Sequence, residues 1–348
     1  MLTNHKTIKK NLIDLFIAYN VKKADAKYVS DLLVQSDLAG QESHGIARAP
    51  FYIKKIIDGT INLKPKIKIL NNTKTTALID GDWGLGQIVA YYATKQCIRK
   101  AAKNNIGCIA LKNCNHIGRL SDFTSQAAKK NMIGIAFANL HGISGIVSPH
   151  GGIDRKLPTN PISITLPMSA NKTFNMDMSS SSISEGKVKL KYLKKLKMKK
   201  GYLINKLGNF TTSPKDFYVE PKGSILPLGG VASHKGFALS MAIDILAGAL
   251  SNAGCTSDIN KRHGNALTLI FIKISSFNKL KDFKKNVNSL CNHVKKSRLA
   301  KGYREILIPG EYESNILKKR KKLGLRIEEN ILKQLKILAK FKGVNFKL

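Results

Sequence analysis

Apolar residues recur at spacings of three and four through the first part of the chain. Leu12, Leu15, Phe16 and Tyr19 form one set, and Val29, Leu32, Leu33 and Val34 form another. Each set predicts an amphipathic helix. "FYIKKIIDG" predicts a third, stopped by Gly59. The period then changes. "TTALIDG", "IGCIALK" and "MIGIAFANL" predict strands, separated by helices over "GQIVAYYATKQCIRKAAKNN" and "DFTSQAAKKN". "PISITLP" and "TFNMDM" predict two further strands, close enough in sequence to pair. A lysine-rich helix is expected over 183–200, and "HKGFALSMAIDILAGAL" predicts a mostly apolar helix buried between layers. "ALTLIFIKI" predicts a strand and 278–298 a helix. "ESNILKKRKKLGLRIEENILKQLKILAK" predicts two last helices able to return to the N-terminal ones. Strands and helices alternate through the middle, so the fold class is α/β.

Composition changes this picture little. The chain has 348 residues, of which 43% are hydrophobic, enough for a sizeable core. No apolar run approaches the roughly 20 residues that span a bilayer, so a membrane is not expected as a partner. "MLTNHKTIKKNLIDLF" lacks the long apolar core of a secretory signal. Five scattered cysteines with no C-x-x-C pair fit reduced thiols in the cytoplasm better than a disulfide frame or a zinc site, so no metal is expected. The formal net charge of +37 raises the alternative of a basic nucleic-acid-binding protein. Against it, lysine is spread along most of the chain. The dense runs "KVKLKYLKKLKMKK" and "KKRKK" also lack the interleaved aromatics on which single-stranded bases stack.

Candidate chemistry gathers at the ends of the predicted elements. The G-x-G-x-x-G fingerprint of a Rossmann domain is missing; "GDWGLG" has the wrong spacing and is expected to be only a turn. His44 and Arg48 lie four residues apart in "GQESHGIARAP", a polar break between helices, so both can face one site. His116, in "CNHIGR", follows a predicted strand. His141 and His150 flank a loop and are expected to be ordinary loop residues. Asp177 ends an apolar strand and runs into serines; it reads either as a helix N-cap or as part of an anion site. Lys235 opens the apolar helix and reads as an anion clamp or a surface lysine.

"SHGIAR", "NHIG", "HGG…PTNPISITLP", "DMSSS…GKV", "LPLGG…HKGFALSMAIDILAGALS" and "IPGE" occur in this order. Together they resemble the type 2 malate/L-lactate dehydrogenase family, over about residues 10–325. That resemblance implies an oxidoreductase moving a hydride between NAD or NADP and a small 2-hydroxy or 2-oxo acid. It implies a non-Rossmann dinucleotide-binding α/β domain over 71–309, with a helical domain built from both chain ends (1–70 and 310–348), and a homodimer. It gives His116 and His44 as acid/base candidates, Arg48 as the carboxylate anchor and Asp177 as a further catalytic residue. For the cofactor it implies Asn139, Thr159, Asn160, Pro161, Phe174, Asn175, Met176, Asp177, Ser179, Lys235, Gly310 and Glu311. The chain departs from the pattern at Pro158, where the family has glycine, and at Ser179 and Ser180, where it has Ala-Thr. The loop 254–264 is shorter than in several relatives. The charge run at 187–200 is also atypical.

Of the two histidines, His116 is the better base by position, on the α/β part where the nicotinamide belongs. His44 lies beside the carboxylate anchor. Arginine suits that anchor because its planar fork matches a carboxylate, and histidine titrates near neutral pH.

Overall fold

The computed structural model describes residues 2–257 and 262–346. The first three helices are α1 (His5–Ala18), α2 (Lys23–Leu38) and α3 (Ala49–Ile57). They bury Ile8, Leu12, Leu15, Phe16, Val29 and Leu33 in one core with Leu325, Ile327, Leu335 and Ala339 from the other end of the chain. Those later residues flank or belong to α9 (Glu311–Leu323) and α10 (Glu329–Phe341). Residues from both ends of the chain thus share one core. A short pairing that the pattern did not reveal, Leu2–Thr3 against Leu325–Arg326, ties the two ends together.

The centre is a seven-stranded sheet of β1 (Lys68–Asn72), β2 (Thr76–Asp80), β3 (Ile106–Cys114), β4 (Met132–His141), β5 (Pro161–Pro167), β6 (Thr173–Ser179) and β7 (Gly264–Lys273). Their spatial order is β1-β2-β3-β7-β4-β5-β6. β2 and β3 are parallel, joined by α4 (Gly86–Asn104); every other neighbouring pair is antiparallel. The late strand β7 sits in the middle between β3 and β4, so the last part of the sheet to be made closes its core. α4 and α5 (Ser121–Ala128) cover the sheet with Val89, Ala93, Cys97, Phe123 and Ala127 against Ile109, Leu111, Leu267 and Leu269. β5 and β6 pair as expected, with Ser163 opposite Asp177 and Thr165 opposite Asn175.

Four expectations are corrected. β1 lies where helix was read; all five of its residues are exposed, so no buried alternation marked it. The lysine-rich helix α6 covers only Glu185–Leu193. It buries Val188 alone, and Lys195 takes a left-handed φ of 51° just beyond it; like charges along a barely buried helix leave little to extend it. The apolar helix α7 (Ser233–Asp244) is not sandwiched between layers. Its Gly236, Ser240 and Ile243 are buried, but Ala238, Met241 and Ala242 are exposed, as are Ile245, Leu246 and Leu250 in the π-helical turn that follows. The sheet covers one side of this helix, and among the described residues no layer covers the other. Finally, the serines after Asp177 do not open a helix; α6 begins later, with Ser184 at its N-cap. α8 (Leu280–Lys295) matches its predicted place. The loop 254–264 lies partly outside the described residues.

Candidate active site

The polar break between α2 and α3 folds as two short 3-10 turns, Glu42–His44 and Ile46–Arg48, hinged at Gly45. A Cβ on Gly45 would fall 1.8 Å from Asp37 Oδ2, so only glycine fits there. Asp37, near the end of α2, accepts the N–H of Ile46. Burial pushes the Asp37 carboxyl up to about 7. Arg320 of α9 donates to the Asp37 carbonyl and pairs with Glu42 at 2.6 Å. The C-terminal helices thus brace the turn from behind. Arg48 donates through Nε to the Ser43 carbonyl at 2.7 Å, which fixes its stem and leaves the outer guanidinium nitrogens for a ligand.

His44 and His116 stand face to face, with ring centroids 5.5 Å apart and planes within 29° of parallel. His44 Nδ1 meets Ser43 Oγ at 3.0 Å. His116 Nδ1 meets Tyr52 Oη at 2.6 Å, and Tyr52 Oη accepts from Gln87 Nε2 at 2.8 Å. His116 Nε2 has no partner among the described residues. Both histidines are half-buried. Burial, then the charges of Arg48 and Arg119, push His44 down to about 3. Burial, then Arg48, His44 and Lys55, hold His116 well below the usual histidine range. Both imidazoles are therefore neutral at neutral pH, and a neutral ring is a proton acceptor.

Tyr52, Gln87, Lys55 and Asn115 were not singled out in the sequence. Tyr52 and Lys55 follow Arg48 by four and seven residues, which is one face of α3; that spacing was a usable signal. Gln87 is the second residue of α4, and its position explains "GDWGLG". A Cβ on Gly86 would lie 2.2 Å from the His116 carbonyl oxygen, so the glycine lets α4 start directly against the His116 turn. The stretch serves packing, and no phosphate role follows. Asn115 is buried, and its Nδ2 donates to the Trp83 carbonyl at 2.7 Å.

The residues expected to bind cofactor behave differently. Asn139 is 1% exposed; it donates to Asp244 Oδ1 at 2.7 Å and to the Gly254 carbonyl, and accepts from Ala266 N–H. Asn160 donates to the Ser240 carbonyl at 3.0 Å, while its Oδ1 is buried without a partner, as are Ser180 Oγ and Ser240 Oγ. Asp177 lies inside β6, not at its end. Its carboxylate accepts the N–H of Ser121 at 2.9 Å, so it does cap a helix start, that of α5 across the sheet. Burial raises its carboxyl, opposed by that bond. Thr159, Pro161, Phe174, Met176 and Ser179 are all half-buried beside it on the β5–β6 hairpin. Asn175 N–H bonds the Pro309 carbonyl, and a Cβ on Gly310 would come within 3.0 Å of Asn175 Cβ, so the "IPGE" turn docks on β6. Glu311 is held by Lys295 at 2.7 Å and by Ile308 N–H. Lys235 is exposed at the start of α7, where His150 Nδ1 meets Ser233 Oγ and the His150 ring lies 5.7 Å from that of His234. His141 is buried at the end of β4 with its ring 6.0 Å from Trp83, and so is no ordinary loop residue. Among the described residues no group of three or more His, Cys, Asp or Glu is placed to hold a metal ion.

Residues 3–336 match the family model described as malate/L-lactate dehydrogenase. The chain is 38% identical over 328 residues to a malate dehydrogenase of Pyrococcus abyssi, covering 92% of this chain and 89% of that protein. It is 37% identical over 351 residues to an L-sulfolactate dehydrogenase of Methanocaldococcus jannaschii, covering 99% and 98%. The solved malate dehydrogenase of Pyrococcus horikoshii superposes with a TM-score of 0.89 at 34% identity, over 99% of this chain and 96% of that one.

Proposed function

The chain belongs to the malate/L-lactate dehydrogenase family, and from that premise we propose that His116 exchanges the proton on the C2 oxygen of a 2-hydroxy acid whose carboxylate Arg48 holds. The chain is an oxidoreductase of small hydroxy acids; the nucleic-acid alternative is not favoured. One observation carries the residue assignment: His116 is tied at Nδ1 and has no partner at Nε2 among the described residues. When the ring carries its proton on Nδ1, Tyr52 Oη accepts that N–H, and the Nε2 lone pair faces outward. Oxidation then passes the hydroxyl proton to Nε2 as the C2 hydrogen leaves with its electron pair. The resulting imidazolium keeps both N–H bonds satisfied, one by Tyr52 and one by the new carbonyl oxygen. His44, tied at Nδ1 to Ser43, orients the substrate beside Arg48.

A nicotinamide dinucleotide supplies the hydride acceptor when bound. This chain has groups that suit one. Asn160 Oδ1, Ser180 Oγ and Ser240 Oγ are buried polar atoms lacking partners among the described residues, and such atoms cost stability until satisfied. A carboxamide, with two donors and one acceptor, matches them. Lys235, His150 and His234 gather at the N-terminus of α7, where phosphates are favoured. Asn139 and Asp177 hold the surrounding backbone in this reading, and the β5–β6 hairpin with the Gly310–Glu311 turn forms one wall. A non-Rossmann binding mode is supported by a sheet with a single parallel pair, since doubly wound domains are mostly parallel.

We read the chain as dividing near residues 70 and 310, because one core draws on both ends. A second copy is proposed to cover the outer face of α7 and its π-helical extension, where Met241, Ile245 and Leu250 stand exposed. The five cysteines are all free, which supports a cytoplasmic location. A panel of 2-oxo acids with NADH and with NADPH, followed by nicotinamide absorbance, tests the reading; consumption with no 2-oxo acid would end it.

A further inference from the structure

The turn that carries His44 and Arg48 has little backbone bonding of its own. His44 N–H bonds the Gln41 carbonyl, Gly45 N–H the Glu42 carbonyl and Arg48 N–H the Gly45 carbonyl, at 3.0, 3.1 and 2.9 Å. Short 3-10 turns have poor hydrogen-bond geometry and need support from outside. Here two residues behind the turn supply it. The first is Asp37. It is 7% exposed on α2, and its carboxylate accepts the Ile46 N–H. Proton transfer at His116 makes no use of this buried acid. The second is Arg320, on α9. One of its guanidinium nitrogens donates to the Asp37 carbonyl and another meets Glu42 at 2.6 Å. One turn earlier on the same helix, Ile316 lies against Gly40. A Cβ on that glycine, whose φ is +80°, would fall 3.2 Å from Ile316 Cγ2. So α9 rests on both the end of α2 and the start of the turn.

The two gripped residues, Glu42 and Ile46, bracket Ser43 and His44. The Ser43 carbonyl takes Arg48 Nε at 2.7 Å, and Ser43 Oγ meets His44 Nδ1 at 3.0 Å. Where Ser43 sits therefore decides where the Arg48 fork points. Charge works the same way. Glu42 faces Asp37 with like charge, and Arg320 and Arg119 face it with opposite charge. Loss of Arg320 would free Glu42 and leave two acids facing each other across the turn. An ion pair this exposed adds little to stability. A displaced anchor matters more, since about 1 Å of misplacement can cost a rate roughly a hundredfold.

We propose that Asp37 and Arg320 are positioning residues for the substrate carboxylate: from opposite ends of the chain they hold the 42–46 backbone so that Arg48 presents its guanidinium to the acid. This rests on the reading of Arg48 as the carboxylate anchor, and it adds what keeps that anchor in place.

The test measures kcat and KM for oxaloacetate, pyruvate and 3-sulfopyruvate at saturating nicotinamide cofactor, together with cofactor Kd from nicotinamide fluorescence. Arg320→Met should raise KM by roughly tenfold, within what about 1 Å of misplacement can cost, with kcat within about twofold of wild type and cofactor Kd unchanged. Asp37→Ala should act in the same direction. Asp37→Asn keeps an acceptor for the Ile46 N–H and should recover most of the KM. A protein that merely folds less well loses active molecules, and so loses kcat at constant KM. That result overturns the proposal, as does a KM unmoved in Arg320→Met. Combining Arg320→Met with Arg48→Lys decides whether the brace acts through the anchor. KM should rise by less than about twofold beyond Arg48→Lys alone, because residues acting through one another are not additive; a full multiplicative rise overturns the proposal. Should Asp37→Ala fail to fold, Arg320→Met and the double substitution carry the comparison, since the Arg320 side chain is 32% exposed. An unmoved KM in a working enzyme ends this inference alone, whereas a wild type that reduces none of the three acids ends the hydroxy-acid reading with it.

Discussion

On the helical side of the site, Arg48, Lys55 and the two histidines hold their stems with single hydrogen bonds and leave polar atoms free. On the sheet side, Asn139, Asp177 and Glu311 turn theirs onto the protein itself. The two sides are similarly polar in sequence. They differ in how many of their donors and acceptors the fold consumes. A side chain whose hydrogen bonds are already complete fixes backbone, whereas one with a spare donor and a positive charge recruits a ligand. We therefore expect substitutions of Arg48 and His116 to change kinetics at unchanged stability, and substitution of Asn139, whose bonds are consumed, to do the reverse.

The largest expected effect sharpens the first half of that contrast. His116→Ala should lower kcat by about 10² to 10⁴, the span for removing a general base, with cofactor Kd from nicotinamide fluorescence unaltered. Next, Arg48→Lys keeps the charge and loses the fork. A loss of about 1.5–3 kcal/mol raises KM for the acid by roughly tenfold to a hundredfold, and an unchanged KM for every substrate would remove Arg48 from the site. The second half is tested by Asn139→Ala. It leaves a buried Asp244 oxygen and the Ala266 N–H short of a partner, worth about 1–3 kcal/mol of stability, so thermal unfolding should shift down while kcat well below Tm stays within about twofold of wild type. If kcat instead falls as far as in Arg48→Lys with no change in Tm, the comparison fails. The smallest effect is at Lys235. Being exposed, its contact with a phosphate is screened, so Lys235→Ala should weaken dinucleotide binding by well under 1 kcal/mol, more at low salt than at high.

The fold was legible where burial is periodic. α1, α4 and β4 each have a buried stripe at the period of their element, and each was found. β1 was not, because none of its residues is buried, and α6 was drawn too long, because lysines with good helix propensity do not supply a packed face. The outward half of α7 was misjudged for a different reason. Hydrophobicity says a face prefers to be covered, not whether this chain or another covers it. In the candidate site, short motifs at turns singled out His44, Arg48 and His116, which the fold brings together. Tyr52 and Gln87 were not, since a tyrosine on an apolar helix face and a glutamine after glycines look like packing until the fold brings them to one imidazole. Asp177 was seen as a cap or an anion ligand; which helix it caps depends on the sheet register that places β6 beside α5.

The pH dependence of kcat/KM for hydroxy-acid oxidation bears most directly on the claim that His116 is the base. Burial and three neighbouring positive or polar groups lower its proton affinity, so the neutral, active form prevails until the pH drops well below 6.5. The wild type and His44→Ala should both lose activity only on that acid side, and the acid limb should disappear in His116→Ala. A limb that persists in His116→Ala and is lost in His44→Ala would reverse the assignment, and one that persists in both would pass the role to Asp177.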